Sequence, residues 1–188
     1  MTTSSLVLGI LFILCLTSSV VPRSVGLIKS DDKPAQKIWI PVMFGLSQGI
    51  MALLGHSVGR LIAHLFTYIA EYMVFAMMLV VAVKLFVDSM RSLRGKMLYT
   101  VSKEIDILLL SILAAINTFI YSLVSVFFVP LGIWFYVAVA VAGFLWSFFT
   151  VRVDFTPGII KKVSFIEFAA SVFMLVIAAL YLFTDLMI

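Results

Sequence analysis

Apolar residues fill six long blocks of this chain, parted by short stretches that hold most of its charge. Roughly 20 such residues in a helix cross the hydrocarbon core of a bilayer. The blocks at 5–28, 38–61, 72–90, 105–129, 131–151 and 165–186 all match that ruler. Backbone in lipid must satisfy its polar groups internally, which selects helices. The pattern predicts an all-α integral membrane protein with six transmembrane helices and one membrane domain over 1–188, with no soluble domain in its short connections.

Punctuation refines the elements. Val129-Pro130-Leu131-Gly132 divides an otherwise overlong apolar run, because proline ends a helix and glycine allows a tight turn. The fourth and fifth blocks are therefore expected to form a hairpin. The second block holds Gly45, Gly49, Gly55 and Gly59, and glycines four apart let helices approach closely. Packing is their expected role, and the same face leaves the oligomeric state open. In the first block, Pro22 is expected to interrupt the helix and free backbone carbonyls near Thr17, Ser18 and Ser19. Residues 1–5 lack the basic segment of a secretory signal, and Leu14 before Cys15 is too large for a lipoprotein cleavage site. A retained helix is expected there.

Three helices followed by three more place the two halves in opposite orientation, an arrangement common among secondary transporters. Sliding the sequence by 98 residues superimposes the blocks without a gap and sets Ser24 on Ser122, Gly45 on Gly143, Leu11 on Leu109 and Ser19 on Asn117. Two inverted three-helix repeats, about 1–97 and 98–188, are expected.

Composition agrees with lipid as the solvent: 64% of the 188 residues are hydrophobic and 12% charged, and the mean hydropathy is +1.24. An ordinary soluble domain carries about twice that share of charge. The net charge of +4 does not signal nucleic acid, because the basic residues fall between blocks rather than on one face. They read as topology signals. Arg23, Lys29, Lys33 and Lys37 lie in the first connection, Arg91, Arg94, Lys96 and Lys103 in the third, and Arg152, Lys161 and Lys162 in the fifth. The second has only Arg60 at its border, and the fourth and both termini have none. The excess of Lys and Arg on cytoplasmic loops then places both termini outside the cytoplasm.

Polar residues at depth are the candidates for chemistry, since each costs free energy unless paired or solvated. Ser19, Gln48 and Asn117 stand out in the first, second and fourth blocks. Each supplies a neutral oxygen that, with carbonyls and water, could hold a partly hydrated cation, or could bond across helices. Lys84 and Asp88 lie four apart and can pair along one helical face, as a structural ion pair or a gating pair. Glu71, Asp88 and Glu167 are the titratable groups at the borders of the blocks. His56 and His64 are too far apart to share an ion directly. The ten Met residues read as packing filler rather than a copper path, and a single cysteine excludes a multi-cysteine metal site. No phosphate loop, Ser-His-Asp order or metalloprotease His pair occurs, so no enzyme and no resident cofactor is expected.

Phe44-Gly45-Leu46-Ser47-Gln48 followed by Gly55-His56-Ser57-Val58-Gly59 resembles the second span of the bacterial MntP-like manganese efflux pumps of the LysE transporter superfamily. That family carries Phe-Gly-x-x-Glu and then Gly-x-x-x-Gly there. The resemblance spans nearly the whole chain and implies six spans in two three-helix repeats, in the bacterial inner membrane. Ser24-Val25-Gly26 matches the family's Ser-Ile-Gly and sets Ser19 at the position of its first Asp. Leu113-Ala114-Ala115-Ile116 sets Asn117 at the second, and Gln48 stands where the family has Glu. Lys84 and Asp88 fall where it ends the third span with a basic and an acidic residue.

The resemblance thus implies Mn2+ or another divalent cation as cargo, with Ser19, Gln48 and Asn117 as neutral replacements of its acidic ligands. A divalent ion that sheds water at the midplane needs compensating charge, and three neutral groups supply less of it than three carboxylates. Export of an uncharged or zwitterionic solute, as by LysE-like proteins, and a non-transporting scaffold built on the same fold remain the alternatives.

Overall fold

The computed structural model describes residues 3–25, 27, 36–65, 70–94, 104–127, 132–153 and 156–185. Among the described residues the chain is all-helical: α1 (Thr3–Thr17), α2 (Val20–Ser24), α3 (Gln36–Ile62) with a 3-10 turn at Ala63–Leu65, α4 (Ala70–Leu93), α5 (Glu104–Ser125), α6 (Ile133–Thr150) and α7 (Pro157–Asp185). Five of these, α3 to α7, are long and apolar enough to cross a membrane. Their outward faces carry exposed Leu, Ile, Val and Phe side chains, together with Trp39 and Trp134 near the starts of α3 and α6. That distribution suits lipid and its interface rather than water.

The first block departs from one continuous span. α1 stops at Thr17, Ser18 and Ser19 form a turn, and α2 starts at Val20. Pro22 explains the position of the break. It lies inside α2, and its ring crowds the carbonyl four residues back, at Ser18, while offering that carbonyl no N–H. The interruption thus falls one turn before the proline, and it places Ser19 at the junction.

α3 is the centre of the packing. It lies against both α5 and α6, and α4 packs along α7. The glycines explain how. A methyl group added at Gly45 would sit 2.8 Å from the Ala140 carbonyl of α6, and one at Gly49 would sit 3.1 Å from Ala140 Cβ. Gly55 and Gly59 instead meet the α5 backbone at the carbonyls of Phe119 and Leu123. The two glycine pairs therefore serve two different neighbours.

This corrects the expected hairpin. The break between α5 and α6 falls where proline and glycine place it, with residues 128–131 outside the described residues, but among the described residues α5 and α6 each pack along α3 and share no extended contact with each other.

Apolar cores fill the remaining interior. Leu16, Val74, Val81, Leu85, Val124 and Met174 join α1, α4, α5 and α7, and Val20, Ile40, Phe44, Leu110 and Ala114 join α2, α3 and α5. Met78 and Met174 lie in the first of these cores, as packing residues.

A candidate polar and ion-paired centre

The buried face of α5 is a stripe of small polar groups. Ser111, Asn117, Thr118, Ser122 and Ser125 are all buried, and their spacings of three, four and seven keep most of them on one side of the helix. Burial of such groups is costly without hydrogen bonds, and most of the stripe has them, while Ser122 Oγ has no partner among the described residues. Ser47 and Ser111 hydroxyls meet at 2.7 Å, and Thr118 Oγ1 donates to Gln48 Oε1. Gln48 Nε2 donates to the Ala114 carbonyl at 3.2 Å. The close approach of α6 at Gly143, where an added Cβ would meet Gln48 Cγ at 2.6 Å, presses that side chain toward α5.

Ser19 reaches the same carbonyl from the broken first helix, its hydroxyl donating to Ala114 at 2.6 Å. Ser19, Gln48 and Asn117 are all fully buried, so the structure brings the first two onto one acceptor and sets the third one turn further along α5. Asn117 Oδ1 accepts from Lys84 Nζ at 2.8 Å, and its Nδ2 has no hydrogen-bond partner among the described residues.

Lys84 and Asp88 pair along α4 at 3.5 Å, as their spacing predicts, but a third member joins them. Arg23 donates through one terminal nitrogen to Asp88 Oδ2 at 2.9 Å and through the other to the Ser19 carbonyl at 2.7 Å. Its sequence reading as a loop charge is therefore corrected. Arg23 sits in α2 and is 6% exposed. Ser19 caps the start of α2, so the guanidinium folds back one turn onto the carbonyl at the junction of the two helices. The described basic residues Arg60, Arg91, Arg94, Arg152, Lys161 and Lys162 do lie exposed near helix ends. Arg152 stacks 3.9 Å above the Phe148 ring.

Glu167 of α7 completes the centre. It is fully buried, accepts from Ser92 at 3.3 Å through Oε2, and interacts electrostatically with Arg23, Asp88 and Lys84. Its Oε1 has no hydrogen-bond partner among the described residues. Two basic and two acidic side chains thus gather inside the bundle, where a buried charge needs a partner. Around them runs a continuous path of contacts: Asn117 to Lys84, Lys84 to Asp88, Asp88 to Arg23, and Arg23 to Ser19.

Sequence reasoning missed Arg23 and the α5 stripe, and placed Glu167 only at a border. Signals for them existed. Arg23 lies inside the first apolar block, where a charge needs a partner, and Ser111, Thr118, Ser122 and Ser125 repeat at helical spacing. Among the described residues no three His, Cys, Asp or Glu side chains gather to hold a metal. His56 instead packs edge-on to Tyr136 at 6.0 Å, and the side chains of Glu71 and His64 lie outside the described residues. An apolar cleft of about 400 Å3 opens between α1, α6 and α7, lined by Leu11, Cys15, Trp146 and Phe173, and it touches Ser18 at its edge.

Five apolar membrane-length helices, with basic, acidic and polar side chains gathered in the interior, define a multi-pass membrane protein. The chain belongs to the Mntp family, described as "Putative manganese efflux pump", whose model matches residues 32–162. Gln48, Lys84, Asp88 and Asn117 fall inside the matched segment, and Ser19, Arg23 and Glu167 fall outside it. Comparison with individually described proteins and with solved structures gives no match.

Proposed function

We propose that the protein is a transporter, not an enzyme, that exports a divalent cation, manganese first, from the bacterial cytoplasm across the inner membrane. The observation that carries this reading is the meeting of Ser19, Gln48 and Asn117 around one turn of α5, at a break in the first helix. Interrupted helices at midplane are where transporters place ion sites, because unwound carbonyls and polar side chains replace the ion's water. Membership of a family of manganese efflux pumps supports the same cargo.

In this reading α1 and α2 together make the first of six spans. α1 alone has 15 residues, short of the roughly 20 needed. The halves 1–97 and 98–188 act as inverted repeats that rock about the centre. The pairing of α3 with α6 and of α4 with α7, which couples equivalent helices of the two halves, supports that arrangement. Both termini face away from the cytoplasm. Without Arg23, the first connection still carries Lys29, Lys33 and Lys37, so the topology argument keeps its sign.

The test is cell-associated manganese after a manganese challenge, in bacteria lacking their own exporter. Cells expressing the natural chain should hold less manganese than cells with an empty vector. No difference despite verified membrane insertion would remove the reading. The triple variant Ser19→Asp, Gln48→Glu, Asn117→Asp restores the carboxylates that the family carries and should export more strongly. Export by the variant alone would mean that this fold has left manganese for another cargo. A zwitterionic solute is then the second reading, favoured by the basic and acidic side chains that stand side by side in the centre.

A further inference from the structure

Lys84 stands apart from the rest of the polar centre. Its side chain keeps 27% of its surface exposed against 7% for its partner Asp88, while Asn117 is fully buried. The ammonium nevertheless sits on two oxygens that a small cation would seek, Asn117 Oδ1 at 2.8 Å and Asp88 Oδ2 at 3.5 Å. A hard cation prefers carboxylate and amide oxygens to hydroxyl groups. A protein cation already occupies both.

The two basic residues of the centre are not equivalent. Arg23 is buried and held at both terminal nitrogens, by Asp88 and by the Ser19 carbonyl, and its rigid fork suits a permanent pair. Lys84 carries a compact charge on a flexible four-carbon stem, and its exposure gives the stem somewhere to move. When it moves, Asp88 keeps the Arg23 pair, so withdrawal of Lys84 does not strand the carboxylate.

We propose that Lys84 is a tethered competitor of the transported cation. The cargo binds at Asn117 Oδ1 and Asp88 by displacing the Lys84 ammonium, which returns to those oxygens when the cargo leaves. This rests on the cation-transport reading and adds to it the step that empties the site. The centre faces Lys84 with Asp88 from its own helix, Arg23 from α2, Asn117 from α5 and Glu167 from α7. Arg23 repels the ammonium and eases its exit, whereas Asp88 and Glu167 draw it back. The neutral side chains at Ser19, Gln48 and Asn117 fit the scheme, because a site emptied by one ammonium cannot hold its cargo too tightly.

Binding of Mn2+ alone to the full chain, reconstituted in phosphatidylcholine nanodiscs, tests this through the electron paramagnetic resonance signal of free Mn2+. Lys84→Gln removes the competitor and leaves the Arg23–Asp88 pair. It should bind Mn2+ at least about tenfold more tightly than the natural chain, a modest part of what a unit charge about 4 Å away is worth at an effective dielectric near 20. Lys84→Arg keeps the charge and should bind no more tightly than the natural chain. Adding Asn117→Leu to Lys84→Gln should abolish the gain.

Equal or weaker binding by Lys84→Gln, tight binding by Lys84→Arg, a gain that survives Asn117→Leu, or no binding by any variant would each overturn the proposal. If the natural chain lowers cellular manganese while Lys84→Gln binds no better, the competitor falls and the transport reading stands. If neither export nor binding is seen, both fall.

Discussion

Arg23 on α2 and Asp88 on α4, 65 positions apart in the chain, meet at 2.9 Å in a part of the molecule where each is about 95% buried. The pair ties the short helix after the break, which lies outside the segment matched to the family model, to the long helix α4 inside it. A buried ion pair returns its desolvation cost only while both members are present, so the break in the first helix and the charge on α4 depend on each other.

Removing one member of this pair should be worse than removing both. Arg23→Met or Asp88→Leu alone leaves an uncompensated buried charge, at a cost of about 3–5 kcal/mol. The double variant should recover much of that loss, giving a favourable coupling of about 1 kcal/mol or more. Thermal unfolding of the purified protein in detergent measures it. Additive losses would show that the pair is not coupled.

The glycine contacts predict a sharp contrast. At Gly59 an added methyl group runs into the Leu123 carbonyl, whereas at Gly132 nothing lies within 4 Å and the backbone is extended. Gly59→Ala should therefore destabilise by about 1–3 kcal/mol, and Gly132→Ala should change stability by no more than about 0.5 kcal/mol. Unfolding midpoints of the two variants, compared in the same detergent, decide the matter.

Gln48 and Thr118 should act as one unit. Gln48→Leu strands the Thr118 hydroxyl and takes a donor from the Ala114 carbonyl, which should cost about 1–3 kcal/mol. Thr118→Val in that background should then cost less than it does in the natural chain. A double-mutant cycle on unfolding free energies reads the difference.

The packing of α3 on α5 can be checked covalently. Ser47 and Ser111 oxygens lie 2.7 Å apart, and replacing both with cysteine brings two thiols within reach of disulfide geometry. In a Cys15→Ser background, mild oxidation of the folded protein should protect both thiols from a maleimide reagent added after denaturation, and reduction should restore their labelling. Unprotected thiols after oxidation would contradict the arrangement of these helices.

Hydropathy along the chain was enough to identify lipid as the solvent and the five long helices α3 to α7, though not the break in the first block, because burial in lipid is a demand on each block of about 20 residues by itself. Gly45, Gly49, Gly55 and Gly59 were likewise readable as sites of close approach, and the four-residue spacing of Lys84 and Asp88 as a pair. Ser19, Gln48 and Asn117 could be singled out as polar groups at depth. Their partners could not, since a buried polar group is satisfied by whichever helix packs beside it, and that neighbour is remote in sequence.

Only the tertiary structure decided that α5 and α6 each pack along α3 rather than along each other, that Ser19 and Gln48 share the Ala114 carbonyl, and that Arg23 belongs to the interior. The choice of Asp88 as its partner follows from distances between helices, on which electrostatic energy in a low-dielectric interior depends steeply.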